Sequence, residues 1–510
     1  MSYPFSSLYE MLSSQEKKQK RRVALFADKE KISYTELLSR VDHFAGYLHS
    51  LGITKGDSVA LFLRNSPEFI ISLFAISKIG AICVPINTFL KAAELKYIFN
   101  DSSSKLLIAS SIYEDVVLDA VIEDTSPTVI WEGGIGNSAA NDIGFEDALN
   151  LKLTIEPIQR NIEDVAVIIY TSGTTGKPKG AMLTNRNIFS NCQSSQERIG
   201  VTKRDRSIVF LPMFHSFTLT VGVILFVYVG GSTVIIKSLK PFSNIFREIL
   251  LKRVTLFIGV PDVYNAIAKA KLPWYFMRFN RLRAFISGAA ALQEHTLIAM
   301  REKFGRATLL EGYGLSEASP VVCVNPPNRP KAKSVGLALK GYEIKIVNEE
   351  MVELPRGEVG DIITRGDNIM KGYLNRPGST EETIVNGWLL TGDMGYMDDD
   401  GYLYIVDRKK DIIISKGINI YPREIEETID RFDGISASAV VGRADERSGE
   451  VPVAYIELND GVESIEISSL RKYLRENLAN FKIPKEIKIV DFLPKNATGK
   501  VLKRELRDQI

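Results

Sequence analysis

Cysteine is scarce in this sequence, and so are tryptophan and histidine. The 510 residues contain three Cys, three Trp and four His. Cys83, Cys192 and Cys323 lie too far apart for a disulfide framework or a zinc knuckle, which indicates a reducing compartment. Neither sign of charge is in excess, because 64 basic and 62 acidic residues leave a net charge of +2. This balance disfavours a nucleic-acid partner, which a clearly basic domain would indicate.

The chain also lacks a recognisable export signal and a clear membrane span. Its first 22 residues have no continuous apolar core, so we expect a cytoplasmic protein. The apolar run at 217–236 is about as long as a helix that crosses a bilayer. Gly230, Gly231 and Ser232 interrupt it, which predicts a buried helix followed by a strand at 233–236.

Short apolar runs alternate with helical patterns over the first four hundred residues. Helices are predicted at 67–77, where Ser66 and Pro67 suit an N-cap and a first helical position, and at 92–99. The alternation predicts βαβ units with largely parallel sheet. The predicted strands lie at 59–63, 81–85, 106–109, 165–170 and 255–260.

The pattern changes near residue 340. Short strand-like segments at 342–365 and 387–414 are separated by turns, which predicts a small antiparallel β unit. The polar segment at 407–411, DRKKD, lies between two strand-like runs and leaves enough chain for one more small domain. We predict an α/β fold with a large N-terminal domain at 1–407, a hinge at 408–411 and a small α+β C-terminal domain at 412–510.

Residues 170–180, YTSGTTGKPKG, directly follow the predicted strand at 165–170. Three glycines allow a tight turn with exposed N–H groups, and the Thr and Ser hydroxyls add further donors. This composition is typical of a loop that holds phosphates. A flexible surface turn is the alternative, but it would not require so many hydroxyls, glycines and lysines together. The spacing differs from the GxxxxGK[ST] nucleotide-binding loop.

Four separated motifs occur in one order along the chain: YTSGTTGKPKG at 170, EGYGLSEASP at 311, GWLLTGDMGYMDDDGYLYIVDRKKDIII at 387 and PKNATGKVLKREL at 494. Together they resemble the acyl- and aryl-CoA synthetases, which share a fold with peptide-synthetase adenylation domains and firefly luciferase. The resemblance covers essentially the whole chain, and the second and third motifs look most like bacterial long-chain fatty acid–CoA ligases. It implies ATP, Mg²⁺ and CoA as cofactors and co-substrates, and a mobile C-terminal domain.

The resemblance also implies a role for each motif. Mg²⁺ would be held by Thr174 and Glu317, adenine would lie at Gly312, Tyr313 and Gly314, and Asp393 would accept the ribose hydroxyls. Arg408 would contact the ribose and phosphate edge, and Lys500 would bridge the carboxylate and the α-phosphate. Alone, each residue would be a core turn, a surface acid or a solvated charge. The phosphate loop is implied to use Thr171, Ser172, Gly173, Thr174, Thr175, Gly176 and Lys177.

For the second half-reaction, the family changes domain orientation about a hinge that matches Lys410. Lys416 and Gly417 would then approach the site where the CoA thiol attacks. His215 resembles a residue that borders the acyl pocket, although a satisfied core histidine is an equal alternative. The small residues Ser287, Gly288 and Ala289 are assigned to the nucleotide and acyl wall.

The segment at 216–224 contains no acid, which argues against an amino-acid substrate because its ammonium group would be buried unpaired. We therefore expect a medium- or long-chain fatty acid, transferred to CoA. The alternatives are transfer to a carrier protein, activation of an aryl acid, and a degenerate binding protein. The last would be expected to lose Glu317, Asp393 or Lys500, and all three are present.

Two basic segments suggest contact with a membrane surface. Residues 16–22 are rich in Lys and Arg, and residues 269–283 mix aromatic side chains with five cations. The alternatives are a solvated helix flank for the first segment and a core-facing aromatic cluster for the second. A homodimer is an expectation from the resemblance alone.

Overall fold

A computed structural model of the chain describes residues 3–121, 128–134, 142–171, 177–237, 243–288, 290, 292–415, 418–445, 447–459, 461–496 and 499–509. The first helices are α1 (Leu8–Gln19), α2 (Tyr34–Ser50), α3 (Pro67–Lys78), α4 (Ala92–Asp101), α5 (Glu114–Val121), α6 (Phe145–Asn150), α7 (Asn185–Ile199) and α8 (Leu225–Tyr228). They are followed by α9 (Ser243–Leu251), α10 (Pro261–Lys269), α11 (Trp274–Phe279), α12 (Glu294–Lys303), α13 (Pro377–Thr383), α14 (Pro422–Ile429), α15 (Ile467–Asn477) and α16 (Lys503–Arg507).

Most strands have seven residues or fewer. The first are β1 (Val23–Ala27), β2 (Glu30–Ser33), β3 (Ser58–Phe62), β4 (Ile82–Pro85), β5 (Ser104–Ser110), β6 (Val129–Glu132), β7 (Ile143–Gly144), β8 (Val165–Thr171) and β9 (Lys179–Thr184). The next are β10 (Arg206–Val209), β11 (Ser232–Ile235), β12 (Leu256–Gly259), β13 (Ala284–Ser287), β14 (Thr308–Gly314), β15 (Val321–Val324), β16 (Leu337–Ala338), β17 (Glu343–Val347) and β18 (Gly360–Arg365). The last are β19 (Gly372–Tyr373), β20 (Ile384–Val385), β21 (Trp388–Met397), β22 (Leu403–Arg408), β23 (Ile413–Ser415), β24 (Ile418–Ile420), β25 (Ile435–Asp445), β26 (Gly449–Leu458) and β27 (Glu486–Val490). The longest are β21, β25 and β26.

Two large sheets form the N-terminal part. One has nine strands in the order β16-β15-β14-β13-β12-β10-β11-β1-β2, and the other has eight in the order β19-β9-β8-β4-β3-β5-β6-β7. Neighbouring strands are parallel from β14 to β1 in the first sheet and from β8 to β7 in the second. Side chains from both sheets and from α1, α2, α3 and α7 share one hydrophobic core. The predicted α/β class with mixed and parallel sheets is confirmed.

Helix α3 illustrates how local sequence determines an element. The Ser66 hydroxyl accepts a hydrogen bond from the Phe69 backbone N–H at 3.3 Å, and Pro67 follows as the first helical residue. Proline costs nothing there, since its missing N–H would have no intrahelical partner. Eleven of the twelve helical residues are buried, all except Glu68, which explains why the segment is mostly apolar on every side.

The apolar run at 217–236 is a buried helix followed by a strand, as predicted, but part of the helix is not α-helical. Its first part, Thr218–Ile224, is a π-helix, followed by the short α8 and then β11. The Gly222 carbonyl accepts hydrogen bonds from the hydroxyls of Ser207 at 2.8 Å and Thr233 at 3.2 Å. Neighbouring strands thus satisfy a carbonyl inside the wider turn. In the described part of the chain, no helix has both the length and the apolar content that crossing a membrane requires.

The C-terminal third contains two smaller sheets. The antiparallel strands β17, β18, β20, β21 and β22 form one, as the sequence predicts. The strands β23 to β27 form the other, which packs on α14 and α15 around its own hydrophobic core. Ile413 and Ile414 belong to this last sheet, so extending the small β unit to residue 414 was wrong. A single turn of 3₁₀-helix, Lys409–Asp411, connects the two sheets.

Candidate active site at the carboxyl edge of the nine-stranded sheet

The parallel strands β12, β13 and β14 lie side by side, and motif residues stand at the ends of β13 and β14. Ser287 ends β13, Gly288 comes next, and Gly312 to Gly314 end β14. A β-carbon added to Gly314 would lie 2.0 Å from the Pro320 carbonyl oxygen, so only glycine fits there. Ligands of open α/β sheets bind outside the carboxyl ends of the strands, which makes this edge the candidate site.

Tyr313, Asp393 and Arg408 meet at this edge, although they lie on three different strands. The Tyr313 hydroxyl donates to Asp393 Oδ2 at 2.6 Å, and Arg408 Nε lies 3.2 Å from Asp393 Oδ1. Asp393 and Arg408 are direct cross-strand neighbours on β21 and β22. Burial and the Asp393 carboxylate raise the pKa of the Tyr313 hydroxyl well above its usual value, so the phenol stays protonated. The structure therefore brings together three residues that span 95 positions of the sequence, from Tyr313 to Arg408.

Lys500 approaches Asp393 and Arg408 from the C-terminal domain. Burial lowers its pKa to about 8, with Arg408 acting in the same direction and Asp393 opposing it. The described residues on either side of 497 and 498 pair as a hairpin, in which the Asn496 N–H donates to the Lys500 carbonyl at 2.8 Å and the Lys500 N–H donates back to Asn496 Oδ1 at 2.9 Å. Gly499 has a φ of +79°, which favours glycine at this turn. The hairpin thus carries a partly buried ammonium group to the site.

Glu317 lies in the 3₁₀ turn Ser316–Ala318 beside the phosphate loop. Its Oε1 accepts a hydrogen bond from the Tyr373 hydroxyl at 2.9 Å and a longer one from the Thr171 hydroxyl at 3.4 Å. Tyr373 was not among the predicted site residues, because no motif surrounds it. Its pairing with a residue 56 positions earlier could not be read from the sequence.

Most of the predicted phosphate loop lies outside the described residues. This applies to Ser172, Gly173, Thr174, Thr175 and Gly176, of which only the flanking residues are described. Thr171 is partly buried at the end of β8, and Lys177 is exposed with its ammonium 5.5 Å from the centre of the Tyr97 ring. The loop therefore begins next to Glu317.

The segment around His215 adjoins the same edge. The Ser216 hydroxyl lies 3.0 Å from that of Ser316, and a β-carbon on Gly288 would lie 3.2 Å from the Phe217 ring. Burial lowers the pKa of His215 to about 4, and its Nδ1 accepts a hydrogen bond from the Phe217 N–H at 3.3 Å. The imidazole is therefore neutral near pH 7, which suits an apolar wall better than a carboxylate partner.

Several other predicted residues have simple placements. The buried hydroxyls of Ser287 and Thr218 have no hydrogen-bond partner among the described residues. Lys410 is exposed in the 3₁₀ turn between the two small sheets. Ala289, Lys416 and Gly417 lie outside the described residues. Asn65, which no motif indicated, fixes the segment before His215 through hydrogen bonds to the backbone at 211 and 213.

Comparison with known families agrees with this geometry. The AMP-binding enzyme family matches residues 12–374, and the C-terminal domain of AMP-binding enzymes matches residues 424–500. The chain belongs to the AMP-binding enzyme family. The four motifs that carry the resemblance all lie within or beside these two matched ranges.

This AMP-binding enzyme is similar to CoA ligases along nearly its whole length. It is 32% identical to the long-chain-fatty-acid–CoA ligase of Escherichia coli O6:H1, with 96% of this chain and 93% of that protein covered. It is 34% identical to a feruloyl-CoA synthase of an Amycolatopsis species, with 93% of both covered. It is 35% identical to 4-coumarate–CoA ligase 1 of Petroselinum crispum, with 94% of this chain and 88% of that protein covered. The expectation of an AMP-forming acid–thiol ligase is confirmed.

Solved structures of similar enzymes share the fold of this AMP-binding enzyme. ATP-bound MatB from Rhodopseudomonas palustris has a TM-score of 0.90 at 31% identity, covering 99% of this chain and 98% of that one. The anthranilate–CoA ligase AuaEII with anthranoyl-AMP has a TM-score of 0.91 at 27% identity, covering 100% and 98%. MenE from Bacillus subtilis with ATP and magnesium has a TM-score of 0.85 at 29% identity, covering 98% and 99%.

Proposed function

We propose that this enzyme activates a medium- or long-chain fatty acid in two steps. ATP and the carboxylate give acyl-AMP and pyrophosphate, and the CoA thiol then displaces AMP to give the thioester. The first step is needed because a free carboxylate would have to expel oxide, whereas acyl-AMP expels AMP. The observation that carries the proposal is the meeting of Tyr313, Asp393, Arg408 and Lys500 at one sheet edge.

Tyr313, Asp393 and Arg408 together form what we call the nucleotide corner. Each of these side chains has a task that suits its chemistry. The Tyr313 ring, between two glycines, would lie against adenine. Asp393 would accept both ribose hydroxyls, since one carboxylate has lone pairs for several donors. Arg408 would contact the ribose and phosphate edge with its fixed guanidinium fork. The nucleotide would thus be held by residues that precede the hinge residue Lys410.

Lys500 would supply positive charge where it is needed only for adenylation. Its ammonium is a compact charge on a long stem, and it would lie between the carboxylate substrate and the α-phosphate. Attack of the carboxylate on that phosphate brings two anions together, so charge neutralisation and positioning dominate catalysis. The low pKa of Lys500, about 8, applies to the enzyme without the anionic nucleotide.

Magnesium fits the donor set beside the phosphate loop. Glu317 offers a hard carboxylate oxygen among hydroxyl groups, and Mg²⁺ prefers such ligands in small numbers. Glu317 would hold the ion together with Thr174, and the ion would neutralise phosphate charge.

For thioester formation, the domain beyond a hinge at 408–411 would turn about Lys410. Lys500 would then leave the site, and Lys416 and Gly417 would approach the path of the CoA thiol. A hinge there is supported by the exposure of Lys410 in the single 3₁₀ turn that connects the two small sheets. The turn is held on its N-terminal side by the Lys409–Asp361 ion pair at 2.7 Å and on its C-terminal side by the Asp411–Arg507 ion pair at 2.6 Å.

Fatty acyl specificity is supported by the wall around the π-helix. The Thr218–Ile224 segment is buried and carries no charge, and the neighbouring His215 is neutral near pH 7. Each methylene buried against such a wall contributes about 0.8 kcal/mol. An aryl acid is the second candidate, since a feruloyl-CoA synthase and a 4-coumarate–CoA ligase are as similar to this chain as the fatty acid ligase.

Carboxylate-dependent exchange of pyrophosphate into ATP tests the proposal. A panel of fatty acids from short to long chain should include ferulate and benzoate, with and without chelation of Mg²⁺. We expect the fastest exchange with a medium- or long-chain acid, and acyl-CoA when CoA is added. Preference for an aryl acid would support the second candidate, and product on a carrier protein alone would replace CoA as acceptor. Failure with every carboxylate would refute adenylation.

We also propose that helix α11 contacts an anionic membrane surface. Trp274, Tyr275 and Phe279 are 75%, 49% and 62% exposed, and of the four aromatic side chains in this segment only Phe276 faces the core. Arg278 and Arg281 are exposed beside them, and neither forms an ion pair with any described residue. Aromatic side chains next to cations suit the boundary between lipid headgroups and acyl chains, where fatty acids also partition.

Sedimentation with vesicles of phosphatidylglycerol and phosphatidylcholine at moderate salt tests this contact. Binding should require the anionic lipid and should fall at least about fivefold in the double variant Trp274→Ala, Phe279→Ala. No binding would refute the proposal. A dimer in solution that the same variant dissociates would instead assign the surface to a second copy of the chain.

A further inference from the structure

The domain that carries Lys500 contacts the N-terminal part near the hinge, where the Arg423 guanidinium donates to the Ile405 carbonyl at 2.9 Å, and at two further places beside the nucleotide corner. The N-terminal partners at these two further places stand at the start of helices that follow parallel strands. Asp262 is in the first turn of α10, after β12, and Gln293 is the N-cap residue of α12, after β13. The two helices pack against each other, so they present one rigid support at the carboxyl edge of the sheet.

The first contact lies next to Lys500 itself. Asp262 Oδ2 is 3.2 Å from Lys495 Nζ. The same oxygen would be 3.2 Å from a β-carbon placed on Gly499, so the hairpin backbone rests directly on this carboxylate. Because Gly499 precedes Lys500, a shift of the hairpin on Asp262 moves the lysine.

The second contact fixes the helix α14 of the C-terminal domain. Gln293 Nε2 donates to Asp430 Oδ2 at 2.7 Å, while the Ser438 hydroxyl donates to Asp430 Oδ1 at 2.7 Å. Asp430, the C-cap residue of α14, is thus tied to strand β25 of its own domain and directed at the N-terminal part. Its pKa is raised to about 7 by burial, and Glu426 and Glu427 act in the same direction.

Charged groups of both domains surround this contact. Lys269 and His295 come from α10 and α12, and Arg431 and Asp433 come from the C-terminal domain. A glutamine amide can donate to a carboxylate or accept from a carboxylic acid. The pairing of Gln293 with Asp430 therefore does not depend on the ionisation of this acid.

We propose that Asp262 and Gln293 are positioning residues, which hold the C-terminal domain in the orientation that brings Lys500 to the nucleotide. This inference rests on the proposed function, in which only adenylation uses that orientation. Neither residue belongs to the nucleotide corner. Losing them should impair the first half-reaction and leave the second.

The test uses Gln293→Leu, Asp262→Asn and their combination. Glu197→Gln is the matched control, because Glu197 is an exposed acid paired at 3.0 Å with Lys340 inside the N-terminal part. Single-turnover formation of acyl-AMP should fall about fivefold to tenfold in each single variant and further in the combination. Thioester formation from supplied acyl-AMP and CoA should stay within about twofold of the unmodified enzyme, as should both steps in the control. Melting temperatures identify any variant that fails to fold.

A reciprocal variant tests whether Asp262 acts through Lys495. If it does, Asp262→Asn combined with Lys495→Gln should be no slower than either single variant. Unchanged acyl-AMP formation in both Gln293→Leu and Asp262→Asn would overturn the inference. Equal losses in both half-reactions would assign the residues a merely structural role.

A distance measurement separates this inference from the proposed function. The native cysteines are buried, so labels can be attached to new cysteines at the exposed positions Glu302 and Lys472, one in each part. Without substrates, Gln293→Leu and Asp262→Asn should broaden the label-to-label distance distribution, and Glu197→Gln should not. An unchanged distribution would contradict the inference. A broadened one would support it even for an enzyme that adenylates no carboxylate tested.

Discussion

The nucleotide corner and the Lys500 hairpin bring charge to the same place in different ways. Asp393 and Arg408 are cross-strand neighbours, and Tyr313 binds the same carboxylate from another sheet. The hairpin contacts the N-terminal part through the ion pair of Lys495 and Asp262, beside a half-buried Lys500. The corner is formed by strands of two sheets that precede the hinge residue Lys410, whereas Lys500 reaches it from the C-terminal domain.

This difference separates groups that serve both half-reactions from a group that serves one. Both ATP and acyl-AMP carry the adenosine that the corner would hold, so the corner is needed throughout. The Lys500 ammonium would be needed only while the carboxylate attacks the α-phosphate. The following predictions test that separation.

Among the following predictions, removal of the Asp393 carboxylate should have the largest effect on activity. We expect Asp393→Ala to lower kcat/KM for ATP at least about 100-fold, because two hydrogen bonds to a charged group contribute about 1.5 to 3 kcal/mol each. Both half-reactions should be impaired. The control is Glu343→Ala, which removes the acid of another Arg–carboxylate pair, at 2.8 Å from Arg365, in the same sheet. A loss confined to one half-reaction would contradict the shared role of the corner.

The pH dependence should distinguish the two half-reactions with an intermediate effect. Lys500 has a pKa of about 8, so its ammonium predominates below pH 8 and is lost above it. We expect kcat/KM for ATP in adenylation to fall about tenfold per pH unit above 8, and thioester formation from supplied acyl-AMP not to fall. Lys500→Arg keeps the charge at higher pH and should remove the decline. A parallel alkaline decline in both steps would argue against delivery of this charge for adenylation alone.

The smallest effect should follow loss of the Tyr313 hydroxyl. Tyr313→Phe keeps the ring that would lie against adenine and removes the 2.6 Å hydrogen bond to Asp393. Since Arg408 still pairs with that carboxylate, we expect only about a threefold to tenfold rise in the KM for ATP. Steady-state kinetics measure this change, and Tyr313→Ala should raise the KM further. Equal effects of the two substitutions would show that the ring contributes nothing.

Local sequence patterns predicted the elements whose signals are local. Helix α3 runs from Pro67 to Lys78 against a predicted 67–77, because the N-cap, the proline and the apolar composition all lie within it. The π-helix at Thr218–Ile224 was missed, since the hydroxyls that satisfy the Gly222 carbonyl come from other strands. Likewise, Ile413 and Ile414 looked like a continuation of the preceding β unit until their pairing was known.

The candidate-site residues likewise divide into those that a local sequence pattern indicates and those that only a contact in the structure indicates. Tyr313, Asp393, Arg408 and Lys500 were indicated by motifs, and the structure brings them together, while their roles stay predictions. Tyr373 has no motif around it, and its importance depends on a contact with Glu317. Asp262 and Gln293 are likewise indicated only by contacts with the C-terminal domain. A residue whose role depends only on a contact with another element leaves no local sequence pattern.

Lys500→Ala, measured separately in the two half-reactions, tests the central claim most directly. We predict that acyl-AMP formation from ATP and carboxylate falls at least about 100-fold, because the delivered charge is lost. Thioester formation from supplied acyl-AMP and CoA should stay within about threefold of the unmodified enzyme, because Asp393 and Tyr313 still hold the adenosine. Equal loss of both steps would contradict the claim that the corner serves both half-reactions and Lys500 only the first.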